Sequence, residues 1–168
     1  KLGIPFRTPA EGHNIAFTSL WDNYPDSLQI PLQGKASRAY LLMAGSTNHM
    51  QCHIDNGVIR VYYEDGTCDT LSLVNPDNWP PIEQIFFEDG KSFNRHAPSL
   101  YRLRLKTGEL SNNFGEELGF TGVSREVDGG AAVLLEMSLN AGKKLSHLVL
   151  ETLSNEVVIG IMGITLQR

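Results

Sequence analysis

The chain has 168 residues, 41% of them hydrophobic and 20% charged, with a formal net charge of −5 at pH 7. That is enough for a single domain, residues 1–168, with a sizeable core, and the balance is globular, not that of a disordered or membrane protein. No apolar run approaches the ~20 residues of a spanning helix, and the acidic balance argues against nucleic acid as a partner. The opening KLGIPFRTPAEG lacks the apolar core of a signal peptide, and a start on Lys1 without Met reads as a mature or excised piece. Within it, Ile4 to Arg7 is expected as an edge strand, interrupted by Pro5 and closed by Pro9. Asn14 to Ser19 reads as a strand and Leu20 to Asp26, LWDNYPD, as a loop. Ser27 to Leu32 follows, pointing Leu28, Ile30 and Leu32 inward, with Pro31 marking an edge. Arg38 to Ala44 is apolar on both faces, which predicts a central strand.

Met50 to Leu73 reads as a three-stranded antiparallel meander turning at Asn56-Gly57 and Asp65-Gly66, dipeptides that accept positive φ cheaply. In that register Ile54 faces Ile59, Cys52 faces Val61 and Met50 faces Tyr63. Cys52 and Cys68 then sit on the two outer strands, about 9.5 Å apart laterally, beyond the ~7 Å reach of a disulfide. Two free thiols are expected.

Residues 75–98 carry four prolines and predict a long connection with one short strand at Ile85 to Phe87. In the strand YRLRL that follows, Arg102, Arg104 and Lys106 are expected on a solvated face opposite Tyr101, Leu103 and Leu105. Residues 107–130 are again loop-like. Three alternating strands close the chain, joined by hairpin-like Asn140-Ala141-Gly142 and Ser154-Asn155. In the last one Gly160 and Gly163 suggest a close approach across the sheet. With no helix of three turns in view, roughly ten strands at short turn spacing predict an all-β, antiparallel β-sandwich of jelly-roll type.

The segments FTSLWDNYPDSLQIPLQGKASRAYLLMAGSTN and GVIRVYYEDGT, then Trp79, then VVIGIMGITL carry a resemblance, with W-D-N-Y-P, P-L-x-G-K-A and Y-x-D-G as its short motifs. The chain resembles a galactose-binding-like or jelly-roll β-sandwich accessory domain. That domain belongs to a domain-of-unknown-function family of large bacterial glycoside-hydrolase-like proteins. The likeness covers residues 14–74 and, more loosely, 130–168. It implies a non-catalytic, carbohydrate-binding module of a larger parent protein, periplasmic or extracellular, and it carries over no catalytic residue. A structural domain docking on its parent's catalytic domain stays open, as does a jelly-roll glycan hydrolase.

Sugar recognition needs an exposed aromatic ring for the pyranose C–H face with polar groups beside it. Two places have that composition: Trp21 with Tyr24, and Trp79 with Asp77 and Asn78. The competing reading is that each tryptophan caps an open end of the core. His49 and His53 are four apart on a loop entering a strand, where a shared metal would need a helix face or a third ligand converging from elsewhere, so no zinc site is expected. No cofactor is expected beyond a structural Ca²⁺, for which Asp22, Asp77, Asp89 and Asp128 are the loop carboxylates. A hydrolase would draw on Glu83, Glu88, Asp89, Glu116 and Glu117, which show no acid–base spacing.

Overall fold

Alternating apolar residues, with no sustained helical period, leave strands as the regular elements of this chain. The computed structural model describes residues 2–9, 11–83, 95–113 and 126–168. Among these lie β1 (Ala16–Ser19), β2 (Ser27–Pro31), β3 (Arg38–Thr47), β4 (Asp55–Tyr63) and β5 (Cys68–Val74). They are followed by β6 (Tyr101–Arg104), β7 (Leu110–Ser111), β8 (Ala131–Ser138), β9 (Leu145–Thr152) and β10 (Val157–Gln167). The strands pair into a six-stranded sheet of order β1-β10-β3-β8-β6-β7 and a four-stranded sheet of order β2-β9-β4-β5. The all-β antiparallel sandwich expected from the sequence is the fold observed.

The main core lies between the sheets. β3 contributes Ala39, Leu41 and Met43, β4 Ile59 and Val61, β8 Val133 and Leu135, and β9 Leu148 and Leu150, all at period two. Each fully buried aliphatic side chain stabilises the fold by about 1.5–3 kcal/mol. The opposite face of the six-stranded sheet carries Leu42, Ala44 and Ala132, covered in part by Phe6 and Ile15 from the N-terminal segment. β3 is central and buried on both faces, as its sequence predicts.

β10 is apolar on both faces for a reason the alternation alone does not give. Its pairing with β3 shifts between Ile161 and Gly163. The extra residue reverses the parity of every side chain beyond it. Val157, Ile159 and Ile161 face the main core before the shift, Ile164 and Leu166 after it, and Met162 turns to the outer cluster. The two glycines do mark close approaches: a Cβ on Gly160 would lie 2.7 Å from the Ala44 carbonyl oxygen and one on Gly163 2.9 Å from the Phe6 ring.

Four sequence expectations change. Residues 2–9 form no strand, since Pro5 and Pro9 remove ladder donors; this segment lies over β10 instead, where Thr165 Oγ1 donates to the Pro5 carbonyl. The meander has two strands, β4 and β5, because Asn56-Gly57 lies inside β4 and Met50 to Ile54 forms the preceding loop. Gly57 is required by packing there: an added Cβ would lie 2.2 Å from Ile159 Cδ1 and 2.9 Å from the Glu151 carbonyl oxygen. The joins after β8 and after β9 cross between the sheets and make no hairpins, since β8 pairs β3 and β6 while β9 pairs β2 and β4. Alternation reveals which face of a strand is buried, not which neighbour it bonds.

The fourth change concerns Arg102, which is 6% exposed and not on a solvated face. Past β8 the six-stranded sheet continues as β6 and β7, and the chain from Asn75 to Glu83 covers its inner side. Arg102 donates through Nη2 to the carbonyls of Pro81 (2.8 Å), Ala131 (2.9 Å) and Ile82 (3.3 Å), tying that cover to the sheet. Burial pushes its guanidinium down to about 10, still charged at neutral pH. Lys106 pairs with Asp128 (2.5 Å) at the surface as expected, whereas the Arg104 side chain, only 18% exposed, is largely covered and reaches Glu109 at 3.4 Å. The Ile85 to Phe87 strand lies outside the described residues.

Candidate functional site

One end of the sandwich gathers the chemistry. There the β1–β2 loop (20–26), the β3–β4 loop (48–54), the chain leaving β5 and the β9–β10 loop (153–156) come together, because Ser19 pairs Val158, Val157 pairs Thr47 and Asp55 pairs Val74. The opposite end is closed by polar ties. There Tyr63 accepts the Asn140 N–H (2.7 Å) and donates to Asp69, and burial, with the Asp69 carboxylate second, pushes the phenol up to about 12. Lys143 beside Asp65 (2.8 Å) holds that carboxyl down to about 2.

The gathered end is organised by Asn56. It is the bulged residue where β4 meets β5, since Asp55 pairs Val74 and Gly57 pairs Leu73. The bulge turns its fully buried amide toward the loops. Oδ1 accepts from Thr47 Oγ1 (2.7 Å), while Nδ2 donates to the carbonyls of Gln51 (3.1 Å) and Ile54 (3.2 Å). Its backbone carbonyl takes the N–H groups of Leu153 (2.9 Å) and Ser154 (3.2 Å). Asn56→Ala strips the Thr47 hydroxyl and the Gln51 and Ile54 carbonyls of the side-chain amide while the backbone bonds stay, and the expected loss is about 2–3 kcal/mol in urea unfolding. A loss below ~0.5 kcal/mol would show that water takes over the role of the amide.

On the β1–β2 side, Ser19 fixes the loop: Oγ donates to the Val157 carbonyl (2.7 Å) and accepts the Trp21 N–H (3.3 Å), and its own N–H donates to Pro25 (3.1 Å). A tight turn follows, with Tyr24 N–H donating to the Trp21 carbonyl (2.9 Å). From this held backbone Trp21 (51% exposed) and Tyr24 (41% exposed) project to solvent, with exposed Phe17 alongside. Tyr24 lies 6.4 Å from each of the other two rings, inclined 64° to Phe17 and 46° to Trp21. Asp22 and Asn23, which separate the two aromatic residues in sequence, are also exposed.

The second sequence-predicted group separates. Trp79 is fully buried, so its face is unavailable to any ligand. Its ring fills the space over Gly45, where an added Cβ would lie 2.8 Å from Cζ2. Asn78 is structural, accepting the Val74 N–H (2.7 Å) and donating to the Ser72 carbonyl (2.8 Å). Asp77 instead joins two histidines that lie far away in sequence. Oδ1 accepts the His96 N–H at 2.6 Å, and Oδ2 lies 3.9 Å from His96 Nδ1. The His96 ring stacks on His53 at 4.6 Å between centroids. Sequence spacing did not reveal this trio, since His53, Asp77 and His96 meet only through the exit from β5 and the return of the connection.

The calcium candidates fare unevenly. Asp128 is engaged by Lys106, which lowers its carboxyl below the usual range, and Asp89 lies outside the described residues with Glu88, Glu116 and Glu117. Glu83 is exposed. Neither cysteine forms a disulfide, as expected, although Cys52 sits in the loop, its thiol donating to the His49 carbonyl (2.6 Å), and not on a strand of the sheet. The outer face of the four-stranded sheet adds a polar group absent from the sequence reading: Arg60 pairs Glu151 (2.5 Å), and Tyr62 stacks on His147 at 4.8 Å. Those rings cover one another, whereas Trp21 and Tyr24 face outward. No helix among the described residues is long and apolar enough to cross a membrane. No protein family, curated protein or solved structure matches this chain.

Proposed function

We propose that the chain is a non-catalytic accessory module of a larger carbohydrate-processing protein, working in the periplasm or outside the cell, and that it binds glycan at Trp21 and Tyr24. The observation that carries this reading is the pair of outward rings on a backbone held by Ser19. Pyranose C–H faces stack on such rings, and a pre-held loop lowers the ordering cost of binding. Rings inclined at 46° suit a twisted, soluble chain better than a flat crystalline surface. We further propose jelly-roll winding for the sandwich. In its favour, β1-β10-β3-β8 faces β2-β9-β4-β5, with successive strands passing between the sheets at most connections.

The test is affinity electrophoresis and a glycan array on the intact domain beside Trp21→Ala and Tyr24→Ala. Each variant is expected to bind at least about tenfold more weakly, as loss of a stacked ring implies, with an unchanged melting temperature. Wild-type protein that ignores every glycan at millimolar concentration sinks the reading.

Docking on a parent catalytic domain is the second reading, favoured by exposed Met50, Ile54 and Leu153 on the neighbouring loops. It predicts that Ile54→Asp frees the domain from its parent while leaving the binding of sugar intact.

A further inference from the structure

We propose that His53, Asp77 and His96 bind a divalent ion of the zinc class and staple three separate segments at the loop end. The reading is independent of glycan binding. β2 and β5 are the two edges of the four-stranded sheet, so this trio, beside β5, lies about 14 Å of strand spacing from the β1–β2 loop that carries Trp21.

One ligand atom from each residue lies within 4.8 Å of the other two, and no other such group of three occurs among the described residues. Zinc held at about 2.0–2.2 Å by nitrogen and oxygen in tetrahedral geometry places its ligands roughly 3.3–3.5 Å apart. The gap closes by rotation of side chains that have room to move, since both histidines are exposed. Asp77, which is mostly covered, is already oriented: the His96 N–H fixes Oδ1 and leaves Oδ2 toward His96 Nδ1. Such hydrogen bonds to a ligating carboxylate are the usual support of a metal site.

The backbone supplies an independent indication. His53 holds φ at 56°, in the left-handed region, and is one of two non-glycine residues among those described to do so. Its N–H donates to the Asn75 carbonyl at 2.7 Å, two residues before Asp77. That bond fixes the β3–β4 loop against the exit of β5 and sets His53 beside Asp77. Strained backbone held in this way is characteristic of ligand clamps.

Two imidazoles and one carboxylate suit zinc, cobalt or nickel; calcium and magnesium prefer oxygen throughout. Three protein ligands leave a coordination position for water or a ligand oxygen. A structural ion at Asp77 would thus be of the zinc class and not Ca²⁺.

The experiment is a calorimetric titration of chelator-treated protein with zinc chloride, repeated with calcium chloride, on wild type, His53→Asn and His96→Gln. Asparagine tolerates the left-handed backbone at position 53, so the first variant keeps the loop. Wild type is expected to bind one zinc at micromolar or tighter affinity without a calcium response, and each variant to bind at least about tenfold more weakly. Melting temperature should rise by about 5–10 °C in wild type at hundredfold excess over its Kd and by no more than about half as much in the variants at the same zinc concentration. Cobalt substitution reads the site without any variant, through the visible bands of a tetrahedral ion. Absence of zinc heat and of cobalt bands in wild type, or full affinity in both variants, overturns the proposal.

Discussion

Trp79→Ala is expected to cost about 3–5 kcal/mol, the range for emptying a large aromatic site in a core. Trp79 heads the fully buried side chains by volume and joins the main cluster from the chain that covers β6. Its neighbour Gly45 cannot collapse into the void, because it pairs Ile159 of β10 on one side and its carbonyl accepts the Ile82 N–H (2.8 Å) on the other. The melting temperature should fall by roughly 10 °C, at about 2–4 °C per kcal/mol for a domain of this size. Trp79→Phe should cost much less. The indole N–H meets no acceptor among the described residues, so its removal offsets part of the lost volume. Urea unfolding followed by circular dichroism gives both numbers. A cost below ~1 kcal/mol for Trp79→Ala would place the ring outside the cooperative core. The contrast with Trp21→Ala, expected to leave stability unchanged, separates the two tryptophans that looked alike in sequence.

Gly45→Ala is the second large effect, from a single methyl group. The added Cβ would lie 1.9 Å from the Val158 carbonyl oxygen and 2.8 Å from Trp79 Cζ2. The ring could tilt, but the carbonyl belongs to the backbone of β10, next to Ile159, which pairs Gly45. Relief therefore requires parting β3 from β10, and the expected cost is about 3 kcal/mol or more. Gly66→Ala is a useful control: its φ of 82° carries strain, but nothing lies within 4 Å, so it should cost only about 1 kcal/mol. If Gly45→Ala unfolds at the same urea concentration as wild type, the close pairing of β3 and β10 is wrong.

Much of this architecture is legible in the sequence because strand alternation records burial. Leu41, Met43, Val133, Leu135, Leu148 and Leu150 can be assigned to one core without knowing any partner. The Asp65-Gly66 turn is local, and it lies where its chemistry says, with Gly66 at positive φ between β4 and β5. Asn56-Gly57 looks the same in sequence and serves an opposite purpose. Asn56 is a buried hub and Gly57 a close contact, and both roles are set by Thr47, Ile159 and Glu151, distant from the dipeptide along the chain or on other strands. Arg102 differs from its expected solvated position for a related reason: alternation puts it opposite Leu103, but the carbonyls that take its charge out of water come from residues 81, 82 and 131. Of the candidate site, Trp21 and Tyr24 were legible because four consecutive residues make the turn that presents them. The His53–Asp77–His96 trio was not, since spacings of 24 and 19 residues have no local periodicity.

The place of β10 in the larger sheet also governs how the chain must assemble. β10 sits between β1 and β3, so the first strand made reaches its sheet only through the last. During synthesis β1 has no partner in its own sheet until residues 157–161 have emerged, and the open edge of β3 waits with it. Pairings so remote in sequence make for slow closure, in the millisecond-to-second range common for sandwiches. Until then two unpaired strand edges stand exposed, the condition under which nascent β-proteins stick to one another and need a chaperone's protection.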